Sequence, residues 1–249
     1  MSELIQWPRA KYWTAQWNPV IGCKPCSPAC ANCYAAAWAK RFGQSFEPHV
    51  SSQMRPPRKG IVFCGNMTDL FGEWLPPFMW MDSILLDATD PRNSKATYLW
   101  LTKRADRMCD EIAELPTVRE TVTLGNQYFG FTAENQEWYE NRMSIVNECF
   151  PNWANLWISA EPLLGPIDFR WDDVVIKPKV VITGCESGPN RRPCKIEWVE
   201  SIVEQCTTAG VPAFVKQLDI GGKCVTDINK FPEHLRIRQV PWTTKGEAK

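Results

Sequence analysis

The sequence contains no apolar run approaching the roughly eighteen residues that a membrane-spanning helix needs. Its first residues, Met-Ser-Glu-Leu-Ile-Gln-Trp-Pro-Arg, lack the apolar core of a secretory leader, so cytoplasmic residence is the expectation. Charge of either sign is not in excess. The 28 Lys and Arg residues balance 28 Asp and Glu residues, so no global field draws the chain to nucleic acid or to acidic lipid. Any polyanion site has to be local. Histidine is scarce: the two residues, His49 and His234, sit in loops with no partner at ligand spacing, and neither reads as a metal ligand. Low-complexity runs, charge blocks and internal repeats are also missing. Gly221-Gly222 lacks the flanking residues of a phosphate loop and reads as a turn.

Cysteine and tryptophan, by contrast, are plentiful, with eleven and thirteen copies. An odd cysteine count in a protein expected to stay in a reducing compartment fits poorly with a disulfide framework. Some of the tryptophans belong in a core, and others suit stacking walls around a planar ligand. The 249 residues, 44% hydrophobic and 22% charged, are enough for one large domain or two small ones with a conventional core, and a single domain is the expectation. That domain is expected to span residues 1–249, with a cysteine loop near 22–34 and an irregular C-terminal segment near 218–249.

Seven short apolar runs alternate with helical stretches: Tyr12–Trp17, Ile61–Cys64, Thr97–Leu101, Tyr128–Thr132, Leu156–Ser159, Val180–Thr183 and Ala213–Val215. Their β-branched and aromatic content suits strands buried on both faces. Between them, Glu137–Phe150 and Glu197–Thr208 show apolar residues at helical spacing, and Gly210 supplies a stop signal for the second. Regular strand–helix alternation predicts an α/β fold with a parallel sheet, a (β/α) barrel, complete or partial and TIM-like. A doubly wound open sheet is the competing topology.

The polar residues take a consistent place. Asn66 and Asp69, Lys103 and Arg104, Glu134, Glu161, Glu186, and Lys216 with Gln217 each follow an apolar run. In a barrel such strand ends share one rim, where active sites are built. Asp69 and Glu134 serve equally well as helix caps. Arg191 and Arg192, in a Pro-bounded loop, together with Arg55, Arg58 and Lys59, would make a phosphate-binding edge. Cys109, Cys149 and Cys206 lie on apolar helix faces and read as inert buried thiols. Cys64 ends a strand, and its side is left open.

Cys23, Cys26, Cys30 and Cys33 are concentrated in the loop that follows the first run. Cysteines this dense before a helix-forming stretch are metal ligands far more often than packing residues. Cys26-x3-Cys30-x2-Cys33 has the spacing that holds a 4Fe–4S cluster by three thiolates, leaving an open iron for S-adenosylmethionine. Cys23 could replace Cys26, or all four thiolates could close the site. A closed site suits an electron-transfer cluster or Zn and would not bind S-adenosylmethionine.

Several segments occur together: Trp17-Asn-Pro-Val-Ile-Gly-Cys23, Ser27-Pro-Ala-Cys30-Ala-Asn-Cys33-Tyr34, Leu101-Thr-Lys-Arg104, Glu134-Asn-Gln136, Glu161-Pro-Leu-Leu-Gly-Pro166 and Gly184-Cys-Glu-Ser-Gly188. In combination they resemble a phage and prophage protein family of uncharacterised function, treated as radical-SAM-like with a barrel fold. The resemblance runs from about Trp13 to Gln217. It implies Cys23, Cys30 and Cys33 as cluster ligands with Cys26 as an extra thiol, whereas the generic spacing points to Cys26. Cys185 and Cys194 stand where that family has other residues, which leaves a second metal site or a redox pair open. The expectation is a 4Fe–4S protein of radical-SAM type, using S-adenosylmethionine with Asn66, Glu134, Glu161 and Glu186 as contacts. It would take a nucleotide or nucleic-acid substrate and an electron donor, in the host cytoplasm if phage-encoded. The alternative is a non-catalytic iron–sulfur or Zn module that binds nucleic acid or a host protein.

Overall fold

The seven expected strands join one sheet. The structure, a computed structural model, describes residues 5–76, 80–114, 120–121, 124–151, 154–188 and 190–242. The elements begin with β1 (Ile5–Gln6), β2 (Ala15–Trp17), β3 (Val20–Ile21), α1 (Tyr34–Arg41), β4 (His49–Val50), β5 (Lys59–Cys64), α2 (Trp80–Thr89), β6 (Lys95–Thr102) and α3 (Ala105–Glu114). They continue with β7 (Gln127–Thr132), α4 (Gln136–Cys149), β8 (Leu156–Ala160), β9 (Val181–Gly184), α5 (Ile196–Ala209), β10 (Ala213–Ile220), β11 (Lys223–Val225) and β12 (Gln239–Val240). The main sheet runs β2-β5-β6-β7-β8-β9-β10-β11. Every neighbouring pair in it is parallel except β10 and β11.

Parallel strands need coverage on both faces, and here the two faces are covered differently. The outer face, including Trp100, Phe129 and Ile158, shares a core with helix residues such as Leu85, Met108, Val146 and Ile202. The inner face, with Phe63, Leu99, Tyr128, Trp157 and Phe214, is filled by its own side chains and by Tyr12, Val240 and Trp242. Tyr12, just ahead of β2, lies 5.6 Å from Phe214 of β10 and 5.9 Å from Trp157 of β8, ring centre to ring centre. Because β2 and β10 stand at opposite ends of the parallel strands, this contact requires the sheet to curl. The architecture is a mixed α/β fold with a curled, mostly parallel half-barrel. A doubly wound sheet would carry helices on both faces, and a complete barrel would pair its edge strands. Among the described residues, β2 and β11 are edges.

The expected irregular C-terminal segment is corrected in part. Residues 218–225 continue β10 and form an antiparallel hairpin with β11. The two-residue turn Gly221-Gly222 takes positive φ values of 57° and 73°, the conformation that a tight hairpin demands and glycine adopts without strain. Val240 and Gln239 pair with β1. Residues 243–249 of that segment, and Pro189 of the Arg191 loop, lie outside the described residues. Gly210 does end α5, in the left-handed conformation.

Cys109 of α3 and Cys149 of α4 form a disulfide, in place of the inert thiols expected there. The helical pattern places both on apolar faces but gives no indication that those faces meet. Closing a loop with a sequence separation of 40 restricts the unfolded chain by about 4 kcal/mol in the entropic account. Unreduced, metal-stripped, denatured protein is therefore expected to titrate nine thiols and reduced protein eleven. Reduction should lower the Tm by about 10 °C. Eleven thiols without reductant would remove this bridge from the account.

Candidate functional site: a thiol-lined cavity at the strand ends

The carboxyl ends of the parallel strands open onto a cavity of about 450 Å³. Cys23, Cys26, Cys30 and Cys33 line one wall of it. Pro28 starts a 3-10 turn over Pro28–Cys30, and α1 begins at Tyr34, so the thiols fall on a tight non-helical path between two fixed ends.

The cysteine loop is clamped from both sides. Arg104 Nη2 donates to the Lys24 carbonyl at 3.0 Å, and Arg192 Nη1 donates to the Pro28 carbonyl at 3.0 Å. Both guanidinium groups are held in turn. Arg104 pairs with Asp69 at 3.3 Å and with Glu73 at 3.0 Å, while Arg192 pairs with Glu186. Asn32 Nδ2 adds bonds to Glu186 Oε2 at 2.9 Å and to the Asn190 carbonyl at 2.8 Å. Thr68 Oγ1 fixes the entry by donating to the Gly22 carbonyl at 2.6 Å. Each clamp is a charge-assisted or backbone-directed bond, the kind that sets position as well as energy.

The thiols feel one another. Cys26 donates to Cys30, and this contact, opposed by burial and assisted by the Lys103 charge, lowers the Cys30 thiol to about 4. The same contact raises Cys26, with burial adding to the effect. Burial, followed by the Asp69 charge, raises Cys23 to about 11, and the nearby Cys30 and Cys33 thiols push it in the same direction. Cys23, Cys26 and Cys30 are therefore electrostatically linked. Among the described residues no three His, Cys, Asp or Glu side chains stand in a ready ligating arrangement. The donor set itself, four soft thiols in free form beside two cations, fits an iron–sulfur cluster or another thiophilic metal.

Other rim residues separate into those that face the cavity and those that do not. Asn66, Glu161 and Glu186 line it. Asn66 is fixed by Asn18, which donates to its Oδ1 at 2.7 Å, and by the Tyr34 hydroxyl on its carbonyl. Glu134 does not line it: its carboxylate is fully buried and paired with Arg142 at 2.5 Å, so it is corrected from a cofactor contact to an internal ion pair. Asp69 touches the cavity, but it is committed to Thr102, the Lys103 amide and Arg104, a structural role. Arg104 is likewise consumed, and Lys103 is left as the cation facing the thiols.

The phosphate-binding edge is corrected too. Arg191 makes two bonds to Asp219, at 2.8 and 3.0 Å, and Arg192 is spent on Glu186. Arg55, Arg58 and Lys59 are exposed near the amino end of β5, away from the strand ends that carry Arg191 and Arg192. Cys64 is buried on the helix-facing side and does not reach the cavity.

Tyr12, Trp13 and Phe63 also line the cavity, and none was singled out from the sequence. Lys216 reaches them through a register shift between β9 and β10: Val215 pairs with Thr183 and Gln217 with Gly184, leaving Lys216 as the extra residue. A bulge of this kind re-aims a side chain. Lys216 Nζ lies 2.9 Å from Glu161 Oε1, and 5.9 and 5.8 Å from the ring centres of Tyr12 and Trp13. The result is an aromatic wall with a fixed Lys–Glu pair in the same cavity as the thiols.

Fold and site together define an α/β half-barrel protein with a thiol-rich cavity at its strand ends. The chain belongs to the family described as "Protein of unknown function (DUF5131)", whose profile matches residues 8–236. No curated protein and no solved structure matches it significantly. No helix among the described residues is long and apolar enough to cross a membrane.

Proposed function

We propose that the chain is a 4Fe–4S protein of radical-SAM type, acting on a nucleotide or nucleic-acid base with electrons from a separate donor. The observation that carries this reading is the gathering of four free thiols on one wall of a cavity at the carboxyl ends of parallel strands. Cys30 and Cys33, with Cys23 or Cys26, would hold the cluster. When bound, it would supply one electron to the sulfonium of S-adenosylmethionine.

The chain's own contributions follow from position. Arg104 and Arg192 hold the loop backbone, so the thiols are presented from a fixed frame. Asn66, Glu161 and Glu186 would contact the cofactor from the cavity lining, Glu161 beside Lys216 and Glu186 from its network with Arg192 and Asn32 next to the cysteine loop. Tyr12 and Trp13, packed edge to face, give an aromatic wall suited to a heterocycle. Lys216 pairs with Glu161 and holds its carboxylate at the cavity. The 450 Å³ volume suits a ligand of nucleoside size.

The test is metal and sulfide content with EPR spectra of anaerobically purified protein, with and without S-adenosylmethionine. About four irons per chain and a signal altered by S-adenosylmethionine are expected. Zn without sulfide would overturn the proposal. A second reading, a closed four-thiolate cluster in a binding module, is favoured by the Cys26–Cys30 contact and by the coupling of Cys23 to Cys30 and Cys33. It predicts four irons with a signal indifferent to S-adenosylmethionine.

A further inference from the structure

A second group of cysteines surrounds the end of β10, apart from the loop thiols. Asp219 pairs across the hairpin with Cys224 and accepts from the Cys194 amide at 3.2 Å. Two residues earlier, Gln217 accepts from the Cys185 amide at 3.3 Å and donates through Nε2 to the Cys185 carbonyl at 2.6 Å. Three cysteines from β11, the β9 end and the Arg191 loop are thus fixed to alternate residues of one strand. Their thiols differ in environment. Cys185 is buried at the cavity wall, Cys194 is buried beside it, and Cys224 is half-exposed.

We propose that Cys185 and Cys224 form a redox-active dithiol at the cavity mouth, which exchanges with small-molecule or protein disulfides. Cys224 attacks and Cys185 resolves. The sequence raised Cys185 together with Cys194 as a pair; the β10–β11 hairpin instead brings Cys224 to Cys185.

Three observations assign the roles. Cys224 pairs with Asp219, so its side chain shares the face of β10 that carries Gln217 and Asp219, the residues that hold Cys185 and Cys194. Cys224 is the more exposed of the two, and the Cys185 thiol beside it, opposed by burial and assisted by Arg191 and Lys216, holds it below the ordinary thiol range. An accessible thiolate beside a buried partner is the arrangement of attacking and resolving cysteines. Cys194 is raised to about 12 by burial and by the Asp219 charge, which leaves it protonated and outside the exchange.

The chemistry balances without a metal. The Cys224 thiolate attacks one sulfur of a disulfide R–S–S–R, forming a Cys224–S–S–R bond and releasing one RS⁻. The Cys185 thiol then loses its proton and attacks the Cys224 sulfur, closing Cys185–Cys224 and releasing the second RS⁻. The protein gives up two electrons, the disulfide takes them, and the protons leave on the two RSH products. Closure would lock the hairpin turn to the end of β9, where Cys185 and Glu186 line the cavity.

The experiment uses the full chain, reduced, desalted and equilibrated anaerobically with mixtures of reduced and oxidised glutathione, then acid-quenched, alkylated and mapped by mass spectrometry. A linked Cys185–Cys224 peptide is expected. In Cys185→Ser protein the linked peptide disappears, and a glutathione adduct accumulates on Cys224 at least tenfold above the parent. In Cys224→Ser protein neither product forms, and Cys185 stays free. Mapping of the parent decides the matter even if a variant fails to fold. A Cys185–Cys194 link, an unmodified Cys224 across the whole series, or protection of all three cysteines by stoichiometric Zn would each overturn the proposal.

Discussion

Cys30→Ala and Cys33→Ala proteins, purified anaerobically, are expected to retain less than about a tenth of the parent's iron, because each removes a thiolate common to every ligand set considered. Cys23→Ala and Cys26→Ala then separate those sets. If Cys23, Cys30 and Cys33 hold an open cluster, Cys26→Ala keeps the iron and the response of the EPR signal to S-adenosylmethionine, and Cys23→Ala loses both. If Cys26 is the third ligand, the outcomes exchange. If the site is closed by four thiolates, either change weakens retention. Cys26 is the thiol that donates to Cys30, and Cys23 is the one coupled to both Cys30 and Cys33. Full iron retention in Cys30→Ala protein would end the cluster proposal, since no arrangement of the remaining loop thiols preserves the spacing that motivates it. Circular dichroism of the metal-free proteins guards against misfolding: the loop backbone is held by Arg104, Arg192 and Asn32, none of which depends on a cysteine side chain.

The parallel strands were legible because they are buried on both faces and so appear as unbroken apolar runs bounded by turns. β7, β8 and β9 are buried at every position. The curl was not legible. It depends on Tyr12 meeting Phe214 from the far end of the sheet, a contact separated by most of the chain. The short pairs β1–β12 and β3–β4 have only two residues per strand and leave no periodicity to detect. Within the site, the cysteine loop stood out by density alone.

The charged residues were harder to assign, since a strand-end carboxylate looks the same in sequence whether it faces the cavity or an arginine about two helical turns away. Glu161 and Glu134 both follow strands; one meets Lys216 at the cavity and the other is sealed under α4. The Lys216 bulge is a property of strand pairing, so a single run of residues carries no sign of it. The same holds for Cys185 and Cys224, which become neighbours only once the hairpin folds back along β10.

The Glu134–Arg142 pair gives the largest expected loss of stability. Both side chains are essentially inaccessible, at 0% and 1% exposure, and 2.5 Å apart. Arg142 also donates to the Thr132 carbonyl at 2.6 Å and to the Lys103 carbonyl at 3.0 Å, and its guanidinium lies 4.5 Å from the Trp138 ring centre. Arg142→Ala leaves Glu134 buried without its partner, at a cost of about 3–5 kcal/mol. In denaturation of the metal-free protein this should lower the Tm by about 10 °C. Replacing both members, Glu134→Leu with Arg142→Leu, removes the stranded charge and should regain much of the loss, because a buried ion pair is often matched by apolar residues of similar volume. The two variants should nevertheless share a defect. Each loses the bond to the Lys103 carbonyl, and the Lys103–Arg104 turn is what carries Arg104 to the Lys24 carbonyl of the cysteine loop. A double variant with near-parental Tm and reduced iron retention would show that the buried pair positions the thiol site as well as stabilising the fold. A loss below about 1 kcal/mol for Arg142→Ala would sink the stability argument, because a charge so enclosed has no inexpensive way to remain alone.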